Sequence, residues 1–78
     1  MNSIYLVFQD YLMNFNLVKV YADKGVAIQR AKDEMTKFKD ENKEYAWPQD
    51  CEFSVYEHAL NDQGAYDFVQ EVFSINDD

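Results

Sequence analysis

Residues 17–35 read LVKVYADKGVAIQRAKDEM, and the hydrophobic period changes in the middle of this stretch. Leu17, Val18, Val20 and Tyr21 are aliphatic, β-branched or aromatic, and they read as a strand that ends near Ala22. Beyond Asp23, Ala27, Ala31, Met35 and Phe38 recur at spacings of four, four and three, with Ile28 beside them, which is one face of a helix. Asp23 is placed to cap it, because its carboxylate accepts from the free amides of the first turn. Arg30 with Glu34 and Asp33 with Lys37 are i,i+4 pairs on the solvent side. The helix is expected over residues 24–41. Asn42 and the Trp47-Pro48 step end it, since a proline drives the residue before it away from helical angles.

Upstream, residues 3–8 (SIYLVF) read as a strand with Ile4, Leu6 and Phe8 on one face and Tyr5 and Val7 on the other. The segment between the two strands is too short for a crossover helix, so an antiparallel hairpin is expected. Its turn is weakly signalled, with Asn14 and Asn16 as the only good turn residues. Downstream, residues 52–60 (EFSVYEHAL) alternate as a third strand, and Asn61-Asp62-Gln63-Gly64 is a compact turn signal. Residues 66–75 return as a fourth strand with Val69, Phe73 and Ile75 on one face. The rival reading is a helix, from the spacing of Ala65, Phe68, Val69 and Val72. The last three residues are expected to fray. The chain is therefore read as a single small α+β domain over residues 1–78, ordered ββαββ, with an antiparallel-rich sheet of about four strands and one helix on one face.

One helix covers only one face of such a sheet, yet apolar side chains occur on both faces of several strands. The uncovered face is expected to be sticky, with Tyr5 and Tyr56 as contact residues. Against this, Trp47 and the long loops offer partial cover.

The 78 residues carry a net charge of −8, unevenly spread. Residues 24–43 hold six bases and four acids, whereas residues 44–78 hold nine acids and no Lys or Arg. Phosphate backbones are bound through Lys and Arg, so direct nucleic-acid binding is not expected, and a protein with a basic surface is the better partner. The contact acids are Asp50, Glu52, Glu57, Asp62, Asp67 and Glu71.

No apolar run is long enough to span a bilayer, and the first basic residue is Lys19, too late for a secretory leader. With the lone Cys51, this points to the cytoplasm. Gly25 and Gly64 are the only glycines, so no phosphate-binding loop is present, and Cys51 with His58 is too few ligands for zinc. Seven residues apart along a strand, Cys51 and His58 fall on opposite faces, which argues against a nucleophile and base. No cofactor and no enzymatic activity are expected.

The run IYLVF at residues 4–8, LVKVYADK at 17–24, the amphipathic helix and EFSVYE at 52–57 resemble small uncharacterised ββαβ proteins of phages and bacteria. That resemblance spans residues 3–60 and implies a fold but no activity. Two functions are expected from the residues. In one the chain is a phage-type inhibitor, similar to the acidic anti-CRISPR and anti-restriction DNA mimics, acting in the host cytoplasm. In the other it is a general interaction or self-assembling module, including a homodimer, that binds through the aromatic sheet face.

Overall fold

The computed structural model describes residues 2–45 and 47–78. Strands β1 (Ser3–Tyr11) and β2 (Asn14–Tyr21) precede helix α1 (Lys24–Glu41), and β3 (Glu52–Leu60) and β4 (Tyr66–Asn76) follow it. The strands form one antiparallel sheet in the order β2-β1-β3-β4, so the chain is α+β with the order ββαββ. The fourth element is a strand; the aromatic and β-branched residues of 66–75 and the turn before them outweigh the helical spacing.

The helix forms where the period changes. Asp23 Oδ1 accepts from the Val26 amide at 3.0 Å, and Asn42 closes the far end with its side-chain amide on the Phe38 carbonyl at 2.9 Å. Arg30 pairs with Glu34 at 2.8 Å and also donates to the Tyr21 hydroxyl. The other expected pair does not form: Asp33 accepts from Gln29 instead of meeting Lys37.

Ala27, Ala31, Met35 and Phe38 are buried against Val7 of β1 and Phe53 and Val55 of β3. The two small alanines let the helix lie close to the sheet, while Met35 and Phe38 fill the space toward its C-terminal end. Burying each large apolar side chain of this kind contributes about 1.5–3 kcal/mol. Tyr5, Tyr11, Phe73 and Ile75 pack around this core, so the odd-numbered side of β1 is the covered one.

Three expectations are corrected. The first hairpin turns at Leu12 and Met13, both with positive φ (52° and 64°), rather than at the asparagines, because β2 already begins at Asn14 and pairs with Tyr11. Val69 does not pack with Phe73 and Ile75 on the core. The register of β4 slips twice against β3, between Val55 and Tyr56 and between Glu57 and His58, and Val69 is exposed while Val72 packs on the core. The C-terminal residues do not simply fray, since Asp77 is hydrogen-bonded to the segment entering β3.

The molecule measures 49 × 23 × 15 Å, whereas an 18-residue helix is about 27 Å long. Asp10 pairs with Glu52 and Ser3 with Ala59, so the two hairpin turns lie at opposite ends of the sheet. Helix α1 starts near the Tyr5 and Glu57 level and ends near Tyr11, whose ring meets Phe38 edge-on. The outer part of the β3–β4 hairpin therefore projects beyond the helix. No helix among the described residues is long and apolar enough to cross a membrane.

Candidate functional site

Strand alternation and register define the helix-free face. It carries Ile4, Leu6, Phe8 and Asp10 from β1, paired in part with Val20, Leu17 and Phe15 of β2. From β3 come Glu52, Ser54, Tyr56, His58 and Leu60, opposite Asn76, Ser74, Glu71, Phe68 and Tyr66 of β4. The aromatic rings on this face touch in a string that crosses all four strands. Phe15 stacks on Phe8 at 4.5 Å between centroids, Phe8 meets Tyr56 at 5.7 Å, Tyr56 meets Phe68 at 5.9 Å, and Phe68 meets His58 at 5.9 Å. Offset and edge-on ring pairs of this sort add about 0.5–1.5 kcal/mol beyond burial, which gives the string a defined shape. Nothing among the described residues covers it: Phe15 is 55% and Phe68 59% exposed. Trp47 offers no cover, because it lines an open cleft with Phe38 and Lys39 at the end of α1, on the other side of the sheet. That cleft holds about 240 Å³, below the range of sites that enclose a small organic ligand.

Comparison with family models, characterised proteins and solved structures finds no match to this chain.

The expected contact residues divide between surfaces. Tyr56 sits at the centre of the open face. Tyr5 is turned to the helix side, where it packs on the core, so it does not contribute to that face. Glu52 and Glu71 lie on the open side, Glu71 opposite Tyr56 and Glu52 opposite both Asp10 and Asn76. Glu57 is on the helix side, opposite Tyr5 and Gln70, and accepts from Ser3 Oγ at 2.7 Å and Gln70 Nε2 at 2.9 Å. Those hydrogen bonds, the one from Gln70 first, hold its carboxyl below the ordinary glutamate value, with help from Lys24. Asp67 is also off the open face and accepts from Asn61 at 2.7 Å, which braces the turn that contains the exposed Asp62. Asp50 stands in the loop before β3 with φ at 57°. The six acids thus form no single row.

Asp10, Phe8, Phe15 and Phe68 belong to the open face, and the sequence reading did not name them as contact residues. Their signal was the alternation of each strand. Deciding which face the helix covers required the pairing of Val7 with Val55 and of Gln9 with Phe53.

Cys51 and His58 are separated as their spacing implied. Cys51 is fully buried in the core beneath the helix, where Gln9 Nε2 donates to its sulfur at 3.7 Å, and His58 is on the open face against Phe68. Burial pushes the Cys51 thiol up from its usual value, against the Gln9 hydrogen bond. Among the described residues no three His, Cys, Asp or Glu side chains are grouped to hold a metal ion.

Proposed function

We propose that this domain is a non-catalytic protein-binding module whose contact surface is the helix-free face of the sheet. The observation that carries the reading is the uncovered string of rings from Phe15 through Phe8 and Tyr56 to Phe68. Soluble domains rarely leave a contiguous apolar surface of this kind free unless something docks on it, and aromatic residues supply most of the energy at such surfaces. Leu17, Val20 and Leu60 extend it, each at least 39% exposed.

The experiment is affinity capture from a lysate of the cell in which the protein acts, using the wild type and a Phe15→Ser/Phe68→Ser variant. Both side chains are more than half exposed, so the variant is expected to stay folded. A partner held by the wild type and lost by the folded variant supports the reading. A partner held equally by both moves the binding surface elsewhere.

The inhibitor reading, in which carboxylates stand in for nucleic-acid phosphates against a basic protein, draws on a different observation. Glu52 and Glu71 lie on the open face itself, so a partner that covers the rings also meets negative charge. The two readings share a surface. They differ in whether salt weakens binding steeply, as charge pairing requires, or barely, as apolar contact does.

A further inference from the structure

We propose, resting on the open face as the binding surface, that its occupant is a different protein presenting an apolar patch set with arginine or lysine, and not a second copy of this chain. The carboxylates of Asp10, Glu52 and Glu71 all stand on that face. Among the residues of the four strands, the only Lys or Arg is Lys19, and it is paired with Val7, on the helix side. The open face is thus apolar and acidic with no Lys or Arg, and His58 is its one basic side chain.

Asp10 and Glu52 face one another directly across β1 and β3, an arrangement of like charges that destabilises a sheet. Several other acids of the strands, the helix and the C-terminal segment are matched: Glu34 by Arg30, Glu57 by Gln70 and Ser3, Asp67 by Asn61 and Asp77 by two backbone amides. Asp10 and Glu71 accept no side-chain hydrogen bond from the described residues, and Glu52 accepts only a long one from Ser54 at 3.4 Å. Glu41, Glu44, Asp50, Asp62 and Asp78 also have no side-chain partner among the described residues, but they lie outside the strands; of the acids within the sheet, the unmatched ones are those that flank the rings.

A second copy cannot supply the match. A two-fold dimer through this face sets the same patch of each copy against the other. Asp10, Glu52 and Glu71 of both copies then enter one interface that contains no Lys or Arg, and a buried charge left without a partner is strongly destabilising. The outer face of α1 from another copy does not fit either: its charges are mixed, and Val26 is its only large exposed apolar side chain. A partner guanidinium fits well, because it can pair with Glu71 while stacking on Tyr56 or Phe68.

Sedimentation of the full chain at low and at physiological salt is expected to show a monomer. Amide shifts in a nitrogen–proton correlation spectrum then follow titration with two capped octapeptides, one alternating leucine with arginine and one alternating leucine with glutamate. The arginine peptide is expected to shift Phe8, Phe15, Tyr56, Phe68 and Glu71, and the glutamate peptide to leave them unmoved. The Asp10→Asn/Glu52→Gln/Glu71→Gln variant should bind the arginine peptide about tenfold more weakly, as three surface ion pairs predict. A control with equal charge removed elsewhere, Asp40→Asn/Glu41→Gln/Glu44→Gln, should bind within about twofold of wild type. A dimer held through the ring face overturns the proposal while leaving that face as the contact surface. Equal loss in both triple variants, binding of both peptides alike, or no shift with either also overturns it. Loss only in Phe15→Ser/Phe68→Ser would keep the face and remove the charge.

Discussion

Cys51 and Asp77 are joined through both the side chain and the backbone of Asp77. The Cys51 amide donates to Asp77 Oδ1 at 3.0 Å, and the Asp77 amide donates to the Cys51 carbonyl at 3.1 Å. The second carboxylate oxygen takes the Gln49 amide at 2.6 Å, so Asp77 holds the chain on both sides of Asp50, the residue with left-handed backbone angles. Hydrogen bonds to a charged acceptor contribute about 1.5–3 kcal/mol each, less where water competes. Asp77→Ala is therefore expected to lower stability by about 2 kcal/mol, seen as a fall of roughly 10 °C in the thermal midpoint. A midpoint within a degree of wild type would show that the loop holds itself.

The first hairpin turn carries strain that can be removed. Leu12 and Met13 both adopt left-handed angles, which cost a residue with a side chain about 1–2 kcal/mol, and they stand 70% and 101% exposed. Asn-Gly is the pair that a two-residue turn of this hand favours. Leu12→Asn/Met13→Gly is expected to raise stability by about 1 kcal/mol, read as a higher urea midpoint with an unchanged slope. A lower midpoint would mean that these side chains make stabilising contacts.

Acid should weaken the fold in part through Glu57. Its carboxyl in the folded chain lies below the unfolded value, so the stabilisation is complete above the unfolded value and is lost as pH falls through the lower, folded one. An NMR titration of the Glu57 carboxyl should give a midpoint below that of an exposed glutamate. Gln70→Ala should move the midpoint upward, because Gln70 provides the largest share of the shift. No movement would assign the shift to Ser3 and Lys24.

The Cys51 thiol should resist modification. It is fully buried and held in its protonated form by that burial, so a disulfide reagent at neutral pH is expected to react only as fast as the domain opens. Adding urea below the midpoint should speed the reaction in step with the unfolded fraction. Rapid labelling of the native protein at neutral pH would contradict this.

Much of this architecture was legible because local signals agreed. Asp23 capped the helix, the four-four-three spacing of Ala27, Ala31, Met35 and Phe38 became its buried face, and residues 52–60 became β3 with no change of boundary. Where reading failed, long-range register had intervened. Two slips interrupt β4, leaving Val69 unpaired and exposed while Phe73 and Ile75 pack on the core, and no local pattern marks where a strand will slip. The turn at Leu12 and Met13 was hidden because neither residue favours those angles. The candidate site was half legible: alternation grouped Leu6 with Phe8, and charge counting found Glu52 and Glu71. Asp10 joined them only once β1 and β3 were in register, and Tyr5 left once Val7 fixed the covered side.

The register slips have a consequence for what can bind. β2 and β4 are the outer strands of the sheet, and both are interrupted, β2 between the partners of Val7 and Phe8 and β4 twice. Bulges spoil the even ladder of amides and carbonyls that an added strand would need, and Lys19 beside the slip in β2 is a charge that deters such an addition. Borders interrupted in this way are poor templates for main-chain recruitment, so a partner on the proposed contact face meets mainly side chains. Selectivity must then come from the identity of those residues, which a partner can distinguish, rather than from a backbone that any extended chain could join.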